Sequence, residues 1–163
     1  MAARPEHTVM LEPDLADRTA LVTGSARGVG RALALSLADC GASVAVHYNT
    51  SGDAARETAA DARELGAPDA ATVQGDVTDP DGVDELFDAV EDELGSVDVL
   101  VNNVGAFAPD HWEDSDFETW QTVIDTNLTG TYLCSKRALP AMRESSWGRI
   151  VNVGYASAEK GLV

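Results

Sequence analysis

The segment TALVTGSARGVGRALA, residues 19–34, determines the fold of this chain. It opens with a short β-rich apolar run, and from Gly28 onward its apolar residues have helical spacing. Between these two patterns, Gly24, Gly28 and Gly30 stand as G-x-x-x-G-x-G. The segment therefore predicts a strand, a glycine-rich turn and the first turns of a helix.

The same alternation of short apolar runs and helical patterns continues along the chain. The β-rich runs are residues 19–23, 43–48, 71–75, 97–102 and 149–153, and the helical patterns are residues 28–40, 52–66, 80–94 and 115–143. Strands that alternate with helices predict a parallel sheet covered on both faces. We therefore expect an α/β fold, a Rossmann-like doubly wound parallel sheet with about five strands present. This domain should span residues 17–163, after a loosely attached arm at residues 1–16.

The glycine-rich turn has the properties of an anion-binding loop. Gly24 allows a sharp exit from the strand, and Gly28 and Gly30 let a pyrophosphate and the neighbouring strand approach the backbone. The free N–H groups and the dipole of the next helix favour an anion at its N-terminus. A glycine triplet alone also serves plain turns, so the rest of the chain must decide. The expected dinucleotide contacts in this loop are Gly24, Ser25, Arg27, Gly28, Val29 and Gly30.

Three further motifs follow in order: D-V at residues 76–77, N-N-x-G at residues 102–105 and N-L-T-G at residues 127–130. Together with T-G-x-x-x-G-x-G at residues 23–30, they resemble the short-chain dehydrogenase/reductase family, in particular members similar to 3-oxoacyl-[acyl-carrier-protein] reductase or pteridine reductase. The resemblance runs from about Arg18 to the end of the chain. It implies hydride transfer between a nicotinamide dinucleotide and a carbonyl or alcohol group of a small molecule. It also implies dimer contacts along the last helix, and hence a homo-oligomer.

Two of these motifs can be interpreted chemically. The carboxylate of Asp76 would follow the third strand and could accept a hydrogen bond from an adenine amino group, while the backbone N–H of Val77 donates to the ring. A plain helix cap is the alternative for Asp76. Asn103 and Gly105 would lie near the nicotinamide ribose, or would stabilise a tight turn, or both. Most family members have alanine where this chain has Val104.

The end of the second strand distinguishes NADP from NAD. An NAD site requires a carboxylate there for the ribose diol. This chain has Tyr48 instead, followed by the amide and hydroxyl side chains of Asn49, Thr50 and Ser51, which suit a 2′-phosphate. Arg27, next to the glycine loop, could clamp that phosphate in bidentate fashion, or it could be an ordinary exposed arginine. We expect NADP(H) as the cofactor rather than NAD(H).

The resemblance also implies catalytic residues, of which the chain shows only part. Asn127 matches the family's asparagine, and an asparagine within a helix can disrupt the hydrogen-bond ladder. Tyr155 stands where the serine that orients the carbonyl is usual. The family's Y-x-x-x-K pair is absent, since Tyr155 and Lys160 are five residues apart and fall on different helix faces. The sequence therefore indicates the cofactor-binding portion of an NADP(H)-dependent oxidoreductase, inactive by itself; a non-catalytic NADP-binding sensor or inactive paralogue is the alternative.

Charge is the outlying property of the composition. The chain carries 28 acidic and 11 basic residues, a formal net charge of −17. Such a surface repels phosphates, so we expect no nucleic-acid partner. Scattered acids with few lysines are typical of proteins from a high-salt cytoplasm, which indicates a halophilic source.

The sequence gives no indication of a membrane span, a signal peptide, a disulfide framework or a metal site. There is no apolar run of about 18 residues, so we expect no membrane span, and the N-terminus lacks the apolar region of a signal peptide. Cys40 and Cys134 do not suggest a disulfide framework, and a reduced, cytoplasmic setting is expected. His7, His47 and His111 have no ligand-like spacing, so no metal site is expected.

Overall fold

The computed structural model describes residues 14–107 and 112–154, and the structural statements below concern these residues. Five strands are present: β1 Thr19–Val22, β2 Ser43–Tyr48, β3 Ala70–Gln74, β4 Val99–Asn102 and β5 Arg149–Asn152. Five α-helices accompany them: α1 Gly28–Asp39, α2 Gly52–Leu65, α3 Pro80–Leu94, α4 Phe117–Ile124 and α5 Gly130–Glu144. A 3₁₀ turn at Trp112–Asp114 precedes α4, and a π-helical segment at Asp125–Thr129 joins α4 to α5.

The strands form one parallel sheet in the order β3-β2-β1-β4-β5. The chain starts in the middle at β1, moves outward through β2 and β3, and then crosses to β4 on the other side of β1. The predicted Rossmann-like fold is confirmed. In such a sheet the crevice for a ligand lies at the carboxyl edge, where the strand order reverses, which here is between β1 and β4.

Two apolar clusters cover the two faces of the sheet. One cluster packs α1 and α2 on one face, and its members include Ala34 and Ala38 of α1 and Ala55, Ala59 and Ala62 of α2. The other packs α3 and α5 on the opposite face through larger side chains, among them Leu86, Phe87 and Met142. The strands between them are valine-rich and buried on both sides, as a doubly covered sheet requires.

Two local features depart from the expected boundaries. The long helix expected at residues 115–143 is interrupted by the π-helical segment, so α4 and α5 are separate α-helices. The backbone angles at the two ends of this segment, at Ile124, Asp125, Thr129 and Gly130, are still helical. Leu15, placed by the sequence in the loose arm, is 9% exposed, packs into the α1–α2 cluster and donates its N–H to the carbonyl of Cys40 at 2.9 Å. An apolar residue that is buried and backbone-bonded in this way belongs to the domain.

Charge concentrates on α3, which carries seven acidic residues along its sequence PDGVDELFDAVEDEL, six of them exposed. Arg137 of α5 is the cation that faces them. Its guanidinium lies 3.4 Å from Asp84, 2.7 Å from Asp88 and 2.9 Å from Glu91. These contacts raise the pKa of Arg137 and join α5 to α3 across the sheet face.

The opposite side of the α4–α5 segment is apolar and exposed. The side chains that leave more than two-fifths of their surface in solvent are Phe117, Trp120, Leu128, Tyr132 and Leu139. The rings of Phe117 and Trp120 stack with centroids 5.7 Å apart. Within the described part of the chain, no helix is long and apolar enough to cross a membrane.

Candidate functional site

The glycine loop between β1 and α1 is built from three differently constrained glycines. Gly24 and Gly28 have φ values of +66° and +62°, which side-chain-bearing residues rarely adopt. Gly30 has no room for a side chain, because a Cβ there would lie 2.4 Å from the carbonyl oxygen of Gly24. The loop therefore folds back so that the first turn of α1 packs directly on the end of β1, with Arg27 at the N-cap.

The end of β4 is tied to the same loop by Thr23 and Asn103. The Thr23 hydroxyl oxygen accepts from the backbone N–H groups of Asn103 at 2.9 Å and Val104 at 3.1 Å. The Asn103 amide donates to the carbonyl of Thr23 at 2.9 Å and also reaches the carbonyl of Gly24 at 3.3 Å. The Asn103 side chain thus holds the carboxyl ends of β1 and β4 together, as expected for a turn stabilised by an amide.

His47, which sequence inspection treated only as an isolated histidine, holds the loop from the other side. Its side chain is 1% exposed. Nδ1 accepts from the N–H of Gly24 at 2.9 Å, and Nε2 lies 3.1 Å from the carbonyl oxygen of Gly75. The only available signal was its place at the end of a buried strand, where a polar residue needs partners.

These connections enclose a cavity of about 430 Å³ at the carboxyl edge of the sheet. Four loops and the α4 junction contribute to its wall. Seven of the predicted cofactor contacts line it: Gly24, Arg27, Asn49, Thr50, Ser51, Asp76 and Val77. Residues that sequence reasoning did not single out also line it, among them Ala26, His47, Gly75, Thr78, Thr122, Asp125 and Thr126. The structure therefore brings predicted residues as far as 53 positions apart in sequence, Gly24 and Val77, into one cavity.

The other predicted contacts lie around this cavity. Ser25 is fully buried, and its hydroxyl accepts from the N–H of His47 at 3.1 Å, so its side chain positions the loop from within. Gly28 and Val29 are exposed at the start of α1. Gly30 is buried against Gly24, and Gly105 lies beyond β4 beside Asn127.

The charges at the site are unevenly placed. Arg27 is exposed and, like Arg143 and Arg149, has no carboxylate partner among the described residues. The arginines that pair with at least one carboxylate are Arg18, Arg31, Arg56, Arg63 and Arg137. No carboxylate follows β2 in the cavity wall, because Asp53 lies on α2 and bonds to Arg56. The cavity wall therefore combines an arginine that has no ion pair in the described chain with a β2 end that carries no acid.

Asp76 caps its own turn at the far wall of the cavity. Its carboxylate accepts from the N–H of Thr78 at 2.9 Å and from the Thr78 hydroxyl at 2.7 Å, and these bonds lower the pKa of Asp76. The helix cap of α3 is Asp79, which accepts from the N–H of Gly82 at 3.2 Å. Asp76 is thus an exposed, ionised carboxylate with lone pairs left for a ligand.

Asn127 lies within the π-helical segment, and the expected disruption of the helical ladder is observed there. Its amide nitrogen donates to the carbonyls of Ala106 and Val123, both at 2.8 Å, and its amide oxygen accepts from the N–H of Ala106 at 3.3 Å. These bonds fix the chain beyond β4. Tyr155, the other predicted catalytic residue, lies outside the described residues.

No cluster of three or more potential metal ligands occurs among the residues that the structure describes. Of the three histidines, only His47 falls within these residues, and both of its ring nitrogens are engaged with the backbone.

Comparison with known proteins agrees with this architecture. The family model for short chain dehydrogenase matches residues 18–163. A 3-oxoacyl-[acyl-carrier-protein] reductase of Synechocystis sp. is 41% identical over 147 residues, which cover 90% of this chain and 59% of that protein. The corresponding reductase of Staphylococcus aureus is 38% identical over 136 residues, covering 83% of this chain and 55% of that protein. The chain thus spans somewhat more than half the length of these relatives.

Solved structures show the same likeness. One from Sinorhizobium meliloti, assigned to the short-chain alcohol dehydrogenases, superposes with a TM-score of 0.85 at 36% identity and covers 91% of this chain and 58% of that one. A landomycin C-6 ketoreductase with bound NADP and rabelomycin gives a TM-score of 0.80 at 34% identity, covering 91% of this chain and 62% of the ketoreductase. With the motifs, the sheet order and these matches together, the chain belongs to the short-chain dehydrogenase family.

Proposed function

We propose that the protein is an NADP(H)-dependent oxidoreductase acting on a carbonyl or alcohol group of a small molecule, and that these 163 residues form its cofactor-binding portion. One observation carries the proposal: the cavity at the carboxyl edge combines the glycine loop and Arg27, which has no ion pair among the described residues, with a β2 end that has no carboxylate. An NAD site would place an acid there. The NADP bound by the landomycin ketoreductase supports the same cofactor.

The residues present fit such a cofactor. The backbone at Gly28 is open, since a Cβ built there meets no heavy atom within 4 Å, and the exposed N–H groups of the first turn of α1 can bind a pyrophosphate. Asp76 and Val77 would hold the adenine. Arg27, with the Asn49, Thr50 and Ser51 side chains, would hold the 2′-phosphate. The bound cofactor would supply the hydride.

On the substrate side we propose narrower roles. Asn127 would keep the segment beyond β4 beside the nicotinamide, through its bonds to Ala106, and would serve proton relay. Tyr155 would donate a hydrogen bond to the substrate carbonyl. Proton donation by a positioned acid contributes about 10²–10⁴-fold to rate, so we expect no carbonyl reduction above background without the family's tyrosine–lysine pair.

The test is cofactor affinity measured by calorimetry at molar salt. NADPH should bind more tightly than NADH, and Arg27→Ala should reduce that preference by about 1–3 kcal/mol, the scale of a charge-assisted contact. Arg143→Ala is the matched control, because Arg143 is also exposed and, within the described residues, also without an ion pair, but lies on α5 away from the cavity. Equal affinities of the parent protein for NADPH and NADH would contradict the proposal.

We also propose self-association and a reducing, high-salt cytoplasmic setting. The exposed apolar side of the α4–α5 segment supports a homo-oligomer, since contiguous apolar patches mark interaction surfaces. Cys40 and Cys134 are free thiols. Sedimentation of the parent protein and a Leu139→Glu variant tests the assembly: the variant should dissociate while keeping its NADPH affinity.

A further inference from the structure

His47 joins three parts of the cavity wall at one buried point. Its ring bonds to Gly24 in the glycine loop and to Gly75 beyond β3, at 2.9 Å and 3.1 Å. Its backbone N–H donates to the Ser25 hydroxyl at 3.1 Å, and its carbonyl accepts from the N–H of Ser25 at 2.9 Å. No other residue of the described chain bonds to both the glycine loop and the segment that leads to Asp76.

The chemistry of the two backbone partners determines the form of the ring. The N–H of Gly24 can only donate, so Nδ1 must carry a lone pair, and the carbonyl of Gly75 can only accept, so Nε2 must carry the proton. Burial lowers the pKa of His47, although the Gly75 carbonyl and the negative charge of Asp76 act in the opposite direction. The neutral, Nε2-protonated ring is therefore the form that the site holds.

The bond to Gly24 is the one that matters for a ligand. Gly24 has a φ of +66° and lies both at the cavity wall and under Gly30, so a shift of its peptide would move the start of α1. Without an acceptor at Nδ1, this part-buried N–H would lose its partner, and the loop would relax to find another. We propose that His47 is a positioning residue of the nucleotide site, which as a neutral imidazole holds the Gly24 peptide in its ligand-binding orientation. This inference rests on the proposed cofactor site.

Two substitutions test the hydrogen bonds of the two ring nitrogens separately. His47→Asn places an amide oxygen near the position of Nδ1, so it can accept from Gly24, but it is too short to reach Gly75. His47→Gln can reach Gly75 with its amide nitrogen but leaves the N–H of Gly24 without an acceptor. We expect His47→Asn to bind NADPH within about threefold of the parent and His47→Gln to bind it about tenfold or more weakly, as for one unsatisfied buried donor.

A third variant controls for general loss of stability. The buried Thr19 hydroxyl donates to the carbonyl of Leu94 at 2.8 Å, and neither residue lines the cavity. Thr19→Val should lower the melting temperature without weakening NADPH binding as much as His47→Gln does. Equal NADPH affinity of the Asn and Gln variants, or a Thr19→Val variant that binds NADPH as weakly as His47→Gln, would overturn the role of His47.

The tautomer provides a test without cofactor. A long-range ¹H–¹⁵N spectrum of the nucleotide-free protein at pH 6 should show a neutral ring protonated at Nε2 that is missing from the His47→Asn spectrum and is thereby assigned to His47. A His47 ring that is charged, or that is protonated at Nδ1, would overturn the inference even if NADPH binds. If the spectrum is as expected but neither the parent nor any variant binds NADPH at pH 8, the proposed cofactor is wrong, and with it a positioning role toward NADPH.

Discussion

The strands on the two sides of β1 differ in how completely the helices cover them. β2, on one side of β1, has its four central residues buried and is packed by α1, α2 and α3. β5, at the other edge, has three of its four residues exposed and is packed by α5. We call β1–β3 with their helices the nucleotide half, and β4–β5 with α4 and α5 the second half. An apolar side chain thus contributes far more to folding in β2 than in β5.

The difference shows where this chain derives its stability and where its surface is available. Cavity walls need fixed backbones, and most of the wall consists of loops that leave β1, β2 and β3. The second half carries most of the exposed large apolar residues, including Val151 at 49% exposure, and Val153 just after β5 is 43% exposed. It therefore has surface on which other protein can pack.

The largest effect is expected from filling the space at Gly30. Gly30→Ala places a methyl group 2.4 Å from the Gly24 carbonyl oxygen, so the loop must shift. We expect a loss of roughly 3 kcal/mol in the free energy of unfolding and no measurable NADPH binding. Gly28→Ala is the control, because its methyl meets open space and costs only the positive φ, about 1–2 kcal/mol. A more severe effect at Gly28 than at Gly30, in urea unfolding, would show that packing is not the constraint.

A matched pair of valines tests the two halves directly. Val46 in β2 is fully buried, whereas Val151 in β5 is half exposed. Val46→Ala should lower the free energy of unfolding by about 2 kcal/mol, and Val151→Ala by less than about 0.5 kcal/mol. Chemical denaturation of the two variants measures both values. Comparable losses would mean that β5 is buried in solution by a partner surface.

Lowering the pH should reduce the free energy of unfolding through His47 in the nucleotide half. Because the folded pKa of His47 is lowered from 6.5, the unfolded chain binds more protons below that pH. The free energy of unfolding therefore falls as pH falls from about 6.5 toward the folded pKa, by up to about 1.4 kcal/mol per unit. Asp76 also has a lowered pKa, and its contribution, present above 3.8, is lost as pH falls through its folded pKa. Measured by chemical denaturation between pH 8 and 5.5, the free energy of unfolding of His47→Asn should depend less on pH than that of the parent protein. An unchanged pH dependence would mean that groups other than His47 cause it.

The smallest expected effect is that of salt on the melting temperature. Most carboxylates of the described residues lack a basic partner, and with a net charge of −17 their repulsion is relieved by screening. The melting temperature should rise by a few degrees from millimolar to molar potassium chloride. Asp92 and Glu93 of α3 are exposed and have no ion pair in the part of the chain that the structure describes. Replacing them by Asn and Gln should raise the low-salt melting temperature and reduce its dependence on salt. Salt-independent melting of the parent would contradict a repulsive surface.

The fold followed from local patterns, whereas part of the site did not. Alternating strands and helices predicted the sheet, because each element carries its own periodicity, and the glycine spacing predicted the loop. The engagement of His47 depends on Gly24 and Gly75, 23 and 28 positions away in sequence, and no local pattern contains it. Ser25 was expected at the ligand, but its burial depends on the register of β1 against β2. The cofactor assignments themselves remain predictions.

The π-helical segment has a consequence for how the α4–α5 segment could change. A π turn holds one residue more than an α turn, and each residue of an α-helix turns the chain by about 100°. α4 buries no residue, whereas α5 turns Cys134, Ala138 and Met142 into the core. Deleting one residue of the π-helical segment, such as Leu128, removes this extra residue, so α4 and α5 can join as a regular α-helix with the buried stripe still on the sheet face. A one-residue deletion within α5 has no extra residue to absorb it and would turn the stripe on one side of the deletion by about 100°. The π-helical segment is therefore the place in the α4–α5 segment where the loss of one residue disturbs the core least.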